Sequence, residues 1–364
     1  MNLTNIRNSF ISIYGKAKSA YRDALNYFDE QHVLYNIRHR HGVKPSASNA
    51  GEFFVVCLVK NGEEYIREFV DYYINLSAKH IFIIDNNSTD NTIDIAKSHD
   101  KVSVYSTKLK FASYESKIRR YFLKHYFKHS WVLCVDVDEH FDFPGRNEIS
   151  MYEFIGYLNR YKYTAVTACM LDMYSVETQA NTSLPGFSDM YPFVSIDTID
   201  KASYPNTWLT RGNIVPDNVG IYMNGIRKRA LKSNHEFLLT KHPLMYISKE
   251  IIPFTHPHYC AFAKIADVVC VLLHYKFTAG FLTRAKQISL DPKTHPIWAQ
   301  ENLAYVKYFA ENKYWSNESN SYRYTSATDL ATKKLLYISD LYFAYLKENG
   351  GGAKSARGKV PAIC

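Results

Sequence analysis

The sequence predicts an α/β fold with a mainly parallel, doubly wound sheet. Between residues 53 and 135, strand-like apolar runs and segments of helical periodicity alternate four times. This alternation is typical of a parallel sheet covered by helices on both faces. Polar segments follow three of the runs: "KNGEE", "DNNSTDNT" and "DVDEH". Because ligands bind beyond the carboxyl ends of the strands in open parallel sheets, these segments mark the edge where a ligand is expected.

The first predicted strand, "FFVVCLV" (53–59), is apolar throughout, as expected for a strand covered on both faces. An amphipathic helix follows, because Ile66, Phe69, Val70 and Tyr73 recur at helical spacing. The same reasoning predicts the elements that complete this half: strands at "HIFIID", "KVSVYS" and "WVLCV", and helices at "TDNTIDIAKSH" and "YESKIRRYFLKHYF".

The pattern is less regular after residue 144. A helix is predicted at "MYEFIGYLNRY", a strand at "YTAVTACMLDMY" and a long loop over 180–215, which is rich in Pro, Asn, Ser and Gly. Further strands are predicted at "GIYMNGIRKRAL", "HPLMYIS" and "ADVVCVLLHYKF", the last of which stays apolar until His274. A helix is expected from about residue 279, and mainly helical structure over 300–350.

Composition and charge narrow the class of protein. The formal net charge of +9 over 364 residues favours an anionic partner. Nucleic acid is not expected, since no basic block with interleaved aromatic residues resembles a recognised module. The six cysteines form no CxxC pair, which favours reduced core thiols over disulfides or a zinc site. With no long apolar run and no signal-peptide core, the protein is expected to be intracellular and cytoplasmic.

The end of the fourth strand carries the most informative residues. Asp136, Asp138 and Glu139 directly follow an apolar strand, although isolated buried carboxylates cost several kcal/mol or more unless compensated. In an extended strand Asp136 and Asp138 point to the same side. Carboxylate pairs of this kind suit Mg²⁺ or Mn²⁺, which also take phosphate oxygens. The sequence therefore predicts a divalent metal here.

Several motifs together resemble one enzyme family. "VVCLVKNGEEYIREFVDYYINLSAKHIFIIDNNSTDNT" followed by "WVLCVDVDEHFDF" looks like the nucleotide-sugar half of GT-A fold glycosyltransferases, of the family-2-like and family-92-like type. "LDMYS" and "HYKF" look like the same family, so the resemblance covers roughly 52–280. The departures are His140, where Phe is common, and Gly62 before the two glutamates.

The resemblance implies a set of site residues. The metal would be held on the diphosphate by Asp136 and Asp138, with His274 as its third protein ligand. The nucleotide would be bound around its base and ribose by Asn61, Glu64, Asp85 and Asn87. The donor would be a UDP- or GDP-sugar.

An inverting transfer also needs a general base for the acceptor hydroxyl. The family places an acid downstream of DxD, and Glu236 and Asp172 compete for that role. For Glu236, a helix N-terminal acid favoured by the dipole is an equally good interpretation. His256 and His258 are further candidates near metal or acceptor, although ordinary loop histidines are commoner. Lys117, Arg119 and Arg120 either assist the phosphates or form a solvated helix face.

The predicted organisation has four parts. Residues 1–50 form a basic helical extension and linker, either packed on the main domain or resting as a cationic helix on the inner membrane leaflet. The GT-A domain spans 51–290, with a nucleotide-sugar half (51–145) and an acceptor half (146–290). A helical extension (291–348) and a disordered tail (349–364) follow.

The predicted function is a metal-dependent glycosyltransferase, inverting and bacterial, that moves a sugar onto a glycan or lipid-linked glycan for surface polysaccharide synthesis. A haloacid-dehalogenase-like phosphatase also uses DxD after an apolar strand, with the first Asp as nucleophile. It usually places that strand first, and position 140 would need Thr or Val. A non-catalytic domain that binds glycan or nucleotide is the third interpretation.

Overall fold

The computed structural model describes residues 27–176, 186–231, 236–292, 294, 296–312, 315 and 321–350. Residues 27–35 are helical and precede the first strand. The strands are β1 (Arg38–His41), β2 (Phe53–Val59), β3 (His80–Asp85), β4 (Val102–Ser106), β5 (Ser130–Cys134), β6 (Glu139–Asp142), β7 (Ala165–Asp172), β8 (Phe193–Val194), β9 (Ile199–Ser203), β10 (Gly220–Asn224), β11 (Thr240–Lys241), β12 (Leu244–Ile247), β13 (Ile252–His256), β14 (Tyr259–Ala261), β15 (Ile265–His274) and β16 (Tyr322–Arg323). The helices are α1 (Glu63–Asn75), α2 (Thr92–Lys97), α3 (Phe111–Tyr126), α4 (Met151–Arg160), α5 (Phe187–Met190), α6 (Ile226–Leu231), α7 (Phe281–Leu290), α8 (Pro296–Glu311), α9 (Ala327–Thr332) and α10 (Asp340–Asn349).

One ten-stranded sheet organises the molecule. Its order is β1-β4-β3-β2-β5-β12-β7-β15-β6, and β11 pairs with β7 beside this path. Strands β4, β3, β2 and β5 are parallel neighbours, as are β7 and β15. The reversed strands are β1, β6, β11 and β12. The predicted α/β fold with a mainly parallel sheet is therefore confirmed.

The central strands are buried along their whole length. Every residue of β2, β5, β7 and β15 is buried, which explains why these segments read as continuous apolar runs rather than alternating ones. Helix α1 packs on the sheet through the residues at helical spacing, including Ile66, Phe69, Val70 and Tyr73. Helix α4 begins with a capping box, in which the Ser150 hydroxyl accepts from the Glu153 amide.

The parallel strands end at one edge of the sheet. Val59 pairs with Asp85, and the chain leaves β5 after Cys134 at the same edge. β7 and β15 end together, with Asp172 directly opposite His274. The ends of β3 and β5 flank β2, so they lie about 10 Å apart. Side chains from distant sequence positions thus share one crevice.

Three parts of the chain differ from the sequence prediction. β1 lies within the segment predicted as extension and linker, where it adds an antiparallel edge strand to β4. The predicted loop over 180–215 contains α5, β8 and β9 in its described part. "GIYMNGIRKRAL" does not return to the main sheet, because β10 pairs with β9 and the rest is helix α6. Residues 1–26 and the predicted disordered tail from 351 lie outside the described residues.

The C-terminal extension is mainly helical, as expected, with α8, α9 and α10 beside the short strand β16. None of the described helices combines the length and apolar character that a bilayer crossing requires.

Candidate active site

The segment Asp136–Asp138 is a turn rather than the end of an extended strand. β5 ends at Cys134, the chain turns at 137–138, and β6 then begins at Glu139 as an antiparallel neighbour of β15. The expectation that Asp136 and Asp138 point the same way because strand residues alternate is therefore wrong in its premise. Each carboxylate instead has its own set of partners.

Asp136 is held by two protein cations. Its Oδ1 contacts the Arg119 guanidinium, and its Oδ2 lies 2.7 Å from Lys241 Nζ. Lys241 also lies 2.6 Å from Glu139 Oε1, while Glu139 Oε2 accepts from the Asp136 amide at 3.0 Å. Arg119 in turn lies 3.2 Å from Glu115. The charge that the sequence left uncompensated is thus balanced within the protein.

The pKa values of this cluster follow from burial opposed by charge. Burial alone would raise the pKa of Asp136, but Arg119 and Lys241 outweigh it and hold that pKa well below its ordinary value. Glu139 is fully buried, and burial raises its pKa despite the attraction of Lys241. Burial lowers the pKa of Lys241, but both carboxylates outweigh that effect and raise it. Lys241 is therefore a permanently charged centre between two acids.

Asp138 belongs to a second chain of contacts. Its Oδ2 lies 3.3 Å from His274 Nε2, and His274 Nδ1 lies 2.7 Å from Asp172 Oδ1. Arg227 donates to both oxygens of Asp172, from Nε at 2.7 Å and from Nη2 at 2.6 Å. The imidazole is therefore fixed between two carboxylates, one of which is itself fixed by a guanidinium.

These contacts also set the protonation of the imidazole. Burial lowers the pKa of His274, but Asp138 and Asp172 outweigh it and raise the pKa to about 9. Burial raises the pKa of Asp172, but Arg227 and His274 outweigh it and hold it well below its ordinary value. Without a bound cation, a proton on His274 compensates the carboxylate of Asp138. Asp172 stays ionised with both oxygens engaged.

The other side of the crevice is built from the ends of β2 and β3. Asp85 is nearly buried, and its Oδ1 accepts from the Ser88 amide at 2.9 Å. Asn61 has a left-handed backbone, with φ of 54°, and its side-chain oxygen accepts from the Thr89 amide at 2.8 Å. Asn87 has φ of 63°. The structure thus brings Asn61, Asp85 and Asn87 together, with Asn61 tying the two loops to each other.

Gly62 is required by the packing beside this loop. A Cβ at position 62 would lie 2.7 Å from Val59 Cγ2 and 3.3 Å from Val137 Cγ1. Val137 lies between the two aspartates, so the absence of a side chain at Gly62 lets the Asp136–Asp138 turn approach the start of α1. This departure from the family pattern has a direct steric reason.

Glu64 contacts a residue from the far end of the domain. The Arg284 guanidinium pairs with Glu64 and also donates to Tyr65 Oη at 2.5 Å and to Thr278 Oγ1 at 2.9 Å. Both members of the Arg284–Glu64 pair are about one-third exposed. Helix α7 is thereby joined to α1 across the mouth of the crevice.

The remaining candidates lie at varying distances from the two networks. Glu236 is exposed, and the next residue, Phe237, packs with its ring 5.9 Å from the Arg227 guanidinium carbon. His258 is half-buried, and its Nδ1 lies 3.1 Å from the Thr240 carbonyl. His256 Nδ1 accepts from the His258 amide at 3.2 Å. Both histidines have a pKa lowered, first by burial and then by Lys241.

The three basic residues of α3 separate into different roles. Only Arg119 enters the crevice, where it is buried against Asp136. Arg120 donates to the Pro253 carbonyl at 3.1 Å, and Lys117 pairs with Asp29 at 3.0 Å. The interpretation as a solvated helix face is therefore wrong for Arg119.

Sequence reasoning missed three cations: Lys241, Arg227 and Arg284. Lys241 and Arg227 lie 105 and 55 residues from their main partners, and Arg284 lies 220 residues from Glu64. No local motif distinguishes them from other basic residues. The only sequence signal was indirect: buried carboxylates required compensation by some cation.

The possible metal ligands next to the crevice fit a divalent cation in part. A carboxylate oxygen of Asp138 and an imidazole nitrogen of His274 face each other, and these ligand types together suit Mn²⁺. Both oxygens of Asp136 are engaged by cations instead. Within the part of the chain that the structure describes, no three His, Cys, Asp or Glu side chains are grouped to hold a metal. Asp138 and His274 are thus the pair that the structure makes available.

Comparison with known proteins bears on the family. Residues 54–144 match the family model described as glycosyl transferase family 2. The predicted family-2-like resemblance is confirmed over this segment. The match spans β2 to β6, the segment that carries Asp85 and the Asp136–Asp138 turn, and it supports the prediction that the protein is a glycosyltransferase.

The comparison with curated proteins gave no match. Among solved structures, the chain aligns with a mannosyltransferase from Pyrobaculum calidifontis in complex with GDP-Man and Mn²⁺. The identity is 14%, the alignment covers 97% of this chain and 87% of that one, and the TM-score is 0.29. A likeness this low gives no information on the donor, the metal or the acceptor of the present protein.

Proposed function

We propose that the protein is a metal-dependent glycosyltransferase that moves a sugar from a nucleoside diphosphate donor to a glycan or lipid-linked glycan acceptor. The observation that carries the proposal is the meeting of Asp138 and His274 at the carboxyl edge of the sheet, 3.3 Å apart. Asp85 lies at the same edge, at the end of β3. A crevice at the carboxyl edge that carries these groups suits a ligand with a nucleoside at one end and a diphosphate at the other.

Asp138 and His274 would hold the divalent cation, Mn²⁺ or Mg²⁺, together with diphosphate oxygens. When bound, the cation would stabilise the negative charge that develops on the departing nucleoside diphosphate. Asp172 and Arg227 support this assignment, because they fix the ring of His274 from its other nitrogen. Asp136 has a different role in this proposal: with Arg119 and Lys241 it forms the rigid base of the turn that presents Asp138.

The nucleotide would lie over the ends of β2 and β3. Asp85 is proposed to contact the base or ribose, with Asn61 and Asn87 shaping the loops around it. Glu64 is paired with Arg284, so its part in binding would be to place that guanidinium at the mouth of the crevice. Uridine and guanosine diphosphates are both candidates.

Glu236 is the better candidate for the general base in an inverting transfer. Its side chain is exposed, and the adjacent residue, Phe237, packs against Arg227 of the second network. Asp172 is disfavoured, because Arg227 and His274 occupy its oxygens and hold its pKa low. A base must have an oxygen within reach of the acceptor proton.

The phosphatase alternative requires the first aspartate of DxD to attack the substrate. Both oxygens of Asp136 are paired with cations, Arg119 and Lys241, which makes the carboxylate a weaker nucleophile than this reaction needs. The geometry therefore favours transfer over phosphate hydrolysis.

The biological setting is a further part of the proposal. We place the enzyme in the cytoplasm of a bacterium, at the inner membrane face, in the synthesis of surface polysaccharide. The net charge of +9 supports contact with an anionic surface, and the basic N-terminal extension is the candidate for that contact.

The test is a thermal-shift comparison of UDP and GDP, each with and without Mn²⁺. Binding to the native state raises the melting temperature by mass action. Stabilisation by one nucleotide only with metal, lost in Asp138→Ala and in His274→Ala, is the expected result. Equal stabilisation with and without metal would refute metal dependence. Release of phosphate from simple monoesters, abolished in Asp136→Asn, would favour the phosphatase.

A further inference from the structure

A large open cleft lies on the other side of strand β11 from Asp136. Its volume is about 1280 Å³, and it is formed by the β9–β10 hairpin, the segment 204–219 and the stretch 331–338 after α9. Typical small-ligand pockets measure roughly 300–1,000 Å³, so this cleft has room for an extended ligand.

Strand β11 separates the cleft from the candidate active site. Lys241 points toward Asp136 and Glu139. Its neighbours point the other way, as expected for alternating strand residues. The Thr240 hydroxyl accepts from the Tyr222 amide at 2.6 Å, and His242 Nε2 lies 3.0 Å from Tyr204 Oη. Tyr204 and Tyr222 both line the cleft.

The cleft also extends far from the crevice. One wall includes Val215. The preceding residue, Ile214, accepts a backbone hydrogen bond from Ile265, the first residue of β15. His274 is at the other end of that ten-residue strand, about 30 Å away at 3.3 Å per residue. A ligand in this cleft would therefore be separate from the nucleotide.

The lining has the chemistry of a carbohydrate site. Tyr204 and Tyr337 contribute partly exposed rings, and the exposed Asn206, Asp217 and Asn218 offer amide and carboxylate groups. Trp208 lies beside the cleft, between the lining residues Asn206 and Thr210, and 70% of its surface is exposed. A sugar presents apolar C–H faces that pack on aromatic rings, and hydroxyls that both donate and accept hydrogen bonds.

The loop that carries Trp208 is held in place. The backbone carbonyl of Trp208 accepts a hydrogen bond from Arg211 Nη1 at 2.5 Å. The guanidinium carbon of Arg211 lies 5.5 Å from the centre of the Phe262 ring. The Thr210 hydroxyl donates to the Pro205 carbonyl at 2.5 Å. An exposed indole on such a fixed loop costs little conformational entropy to bind a ligand.

We propose that this cleft is a second carbohydrate site, which holds an oligosaccharide remote from the donor. The choice of a carbohydrate rests on the proposed glycosyltransferase function, whereas the site itself rests on the shape and lining of the cleft. The site would retain a growing or completed chain of several sugar units near the enzyme between transfers.

The experiment is calorimetric titration of the full chain with a panel of tetrasaccharides built from glucose, mannose, galactose, N-acetylglucosamine or galacturonic acid. Ser203→Trp would fill the cleft from an exposed lining position, and Trp208→Ala would remove the indole. Trp298→Ala is the matched control, because Trp298 is a partly exposed tryptophan outside the cleft. Asp138→Ala reports on the candidate active site.

At least one tetrasaccharide is expected to bind with a Kd of about 1 mM or tighter. Ser203→Trp and Trp208→Ala should weaken that binding about tenfold or more, while Trp298→Ala and Asp138→Ala leave it unchanged. No binding by any tetrasaccharide would overturn the proposal. Binding that Asp138→Ala abolishes and Ser203→Trp leaves intact would also overturn it. Nucleotide binding is measured separately by thermal shift, so failure here is distinguishable from failure of the proposed function.

Discussion

Replacing Lys241 with methionine tests how the acidic turn is compensated. Lys241 Nζ lies 2.7 Å from Asp136 and 2.6 Å from Glu139, and its side chain is 11% exposed. Asp136 would keep Arg119 as a partner. Glu139, whose side chain is 1% exposed, would lose the cation that it contacts. Breaking a buried pair by removing one partner typically costs about 3–5 kcal/mol. We therefore expect the free energy of unfolding at pH 7 to fall by about that amount.

The double variant Lys241→Met with Glu139→Gln separates charge from packing. Since glutamine removes the unpaired charge, most of the lost stability should return, and the non-additivity gives the coupling between the two side chains. Lys249→Met is the control, because Lys249 is exposed and should change stability by less than about 0.5 kcal/mol.

The pH dependence of the single variant has a definite sign. Burial already raises the pKa of Glu139 in the native protein, and loss of Lys241 raises it further. A group with a raised native pKa favours folding at low pH, and that contribution is lost as pH rises through the native pKa. The deficit of Lys241→Met should therefore be full at neutral pH and shrink in mild acid. Urea unfolding at several pH values measures this deficit, and a variant as stable as wild type at pH 7 would show that Lys241 does not compensate the charge of Glu139.

Three further predictions concern neighbouring positions. Gly62→Ala should lower the free energy of unfolding in urea by about 1–3 kcal/mol, because the new Cβ would meet Val59 and Val137. The control is Gly156→Ala in a helix, where the nearest contact of the new Cβ is at 3.6 Å, and it should be neutral or stabilising. His140→Phe should stabilise the protein by about 1 kcal/mol, because Nε2 of the buried His140 has no partner in the described structure. The gain should be clearest below pH 6.5, because burial lowers the pKa of His140 to about 3 and only the unfolded chain then takes up a proton at this residue. In the metal-free protein, NMR titration should find a pKa of about 9 for His274. The stability that this proton contributes is complete below pH 6.5 and declines toward pH 9. Asp172→Asn should lower the pKa of His274.

The fold was predictable because the central strands are parallel to their neighbours and are buried on both faces. That environment leaves unbroken apolar runs such as "FFVVCLV", which the sequence shows directly. The edge strand β1, "RHRH", is exposed on most of its residues, so nothing in its composition separates it from a linker. β6 was hidden for a different reason: "EHFD" is polar in sequence yet fully buried against β15.

The positions of the carboxylates in the candidate site could be predicted from the sequence, but the cations that pair with them could not. Asp136, Asp138 and Asp85 follow apolar strands, so their position at the carboxyl edge could be derived locally. His274 ends the long apolar run of β15, and the structure places its Nε2 3.3 Å from Asp138 Oδ2. The partners of Asp136 come from α3 and β11, because tertiary packing rather than sequence spacing selects them. The turn at 137–138 likewise depends on β6 pairing with β15.

The proposed function requires Asp138 and His274 to bind a divalent cation on the donor diphosphate. Pulsed electron paramagnetic resonance of the protein with Mn²⁺ and UDP or GDP tests it most directly, because a coordinating imidazole adds nitrogen hyperfine coupling to the metal signal. We expect that coupling in the wild-type ternary complex and in Asp136→Asn, and its loss in His274→Gln. Bound Mn²⁺ without nitrogen coupling, or coupling that persists in His274→Gln, would show that His274 is not a ligand of the metal.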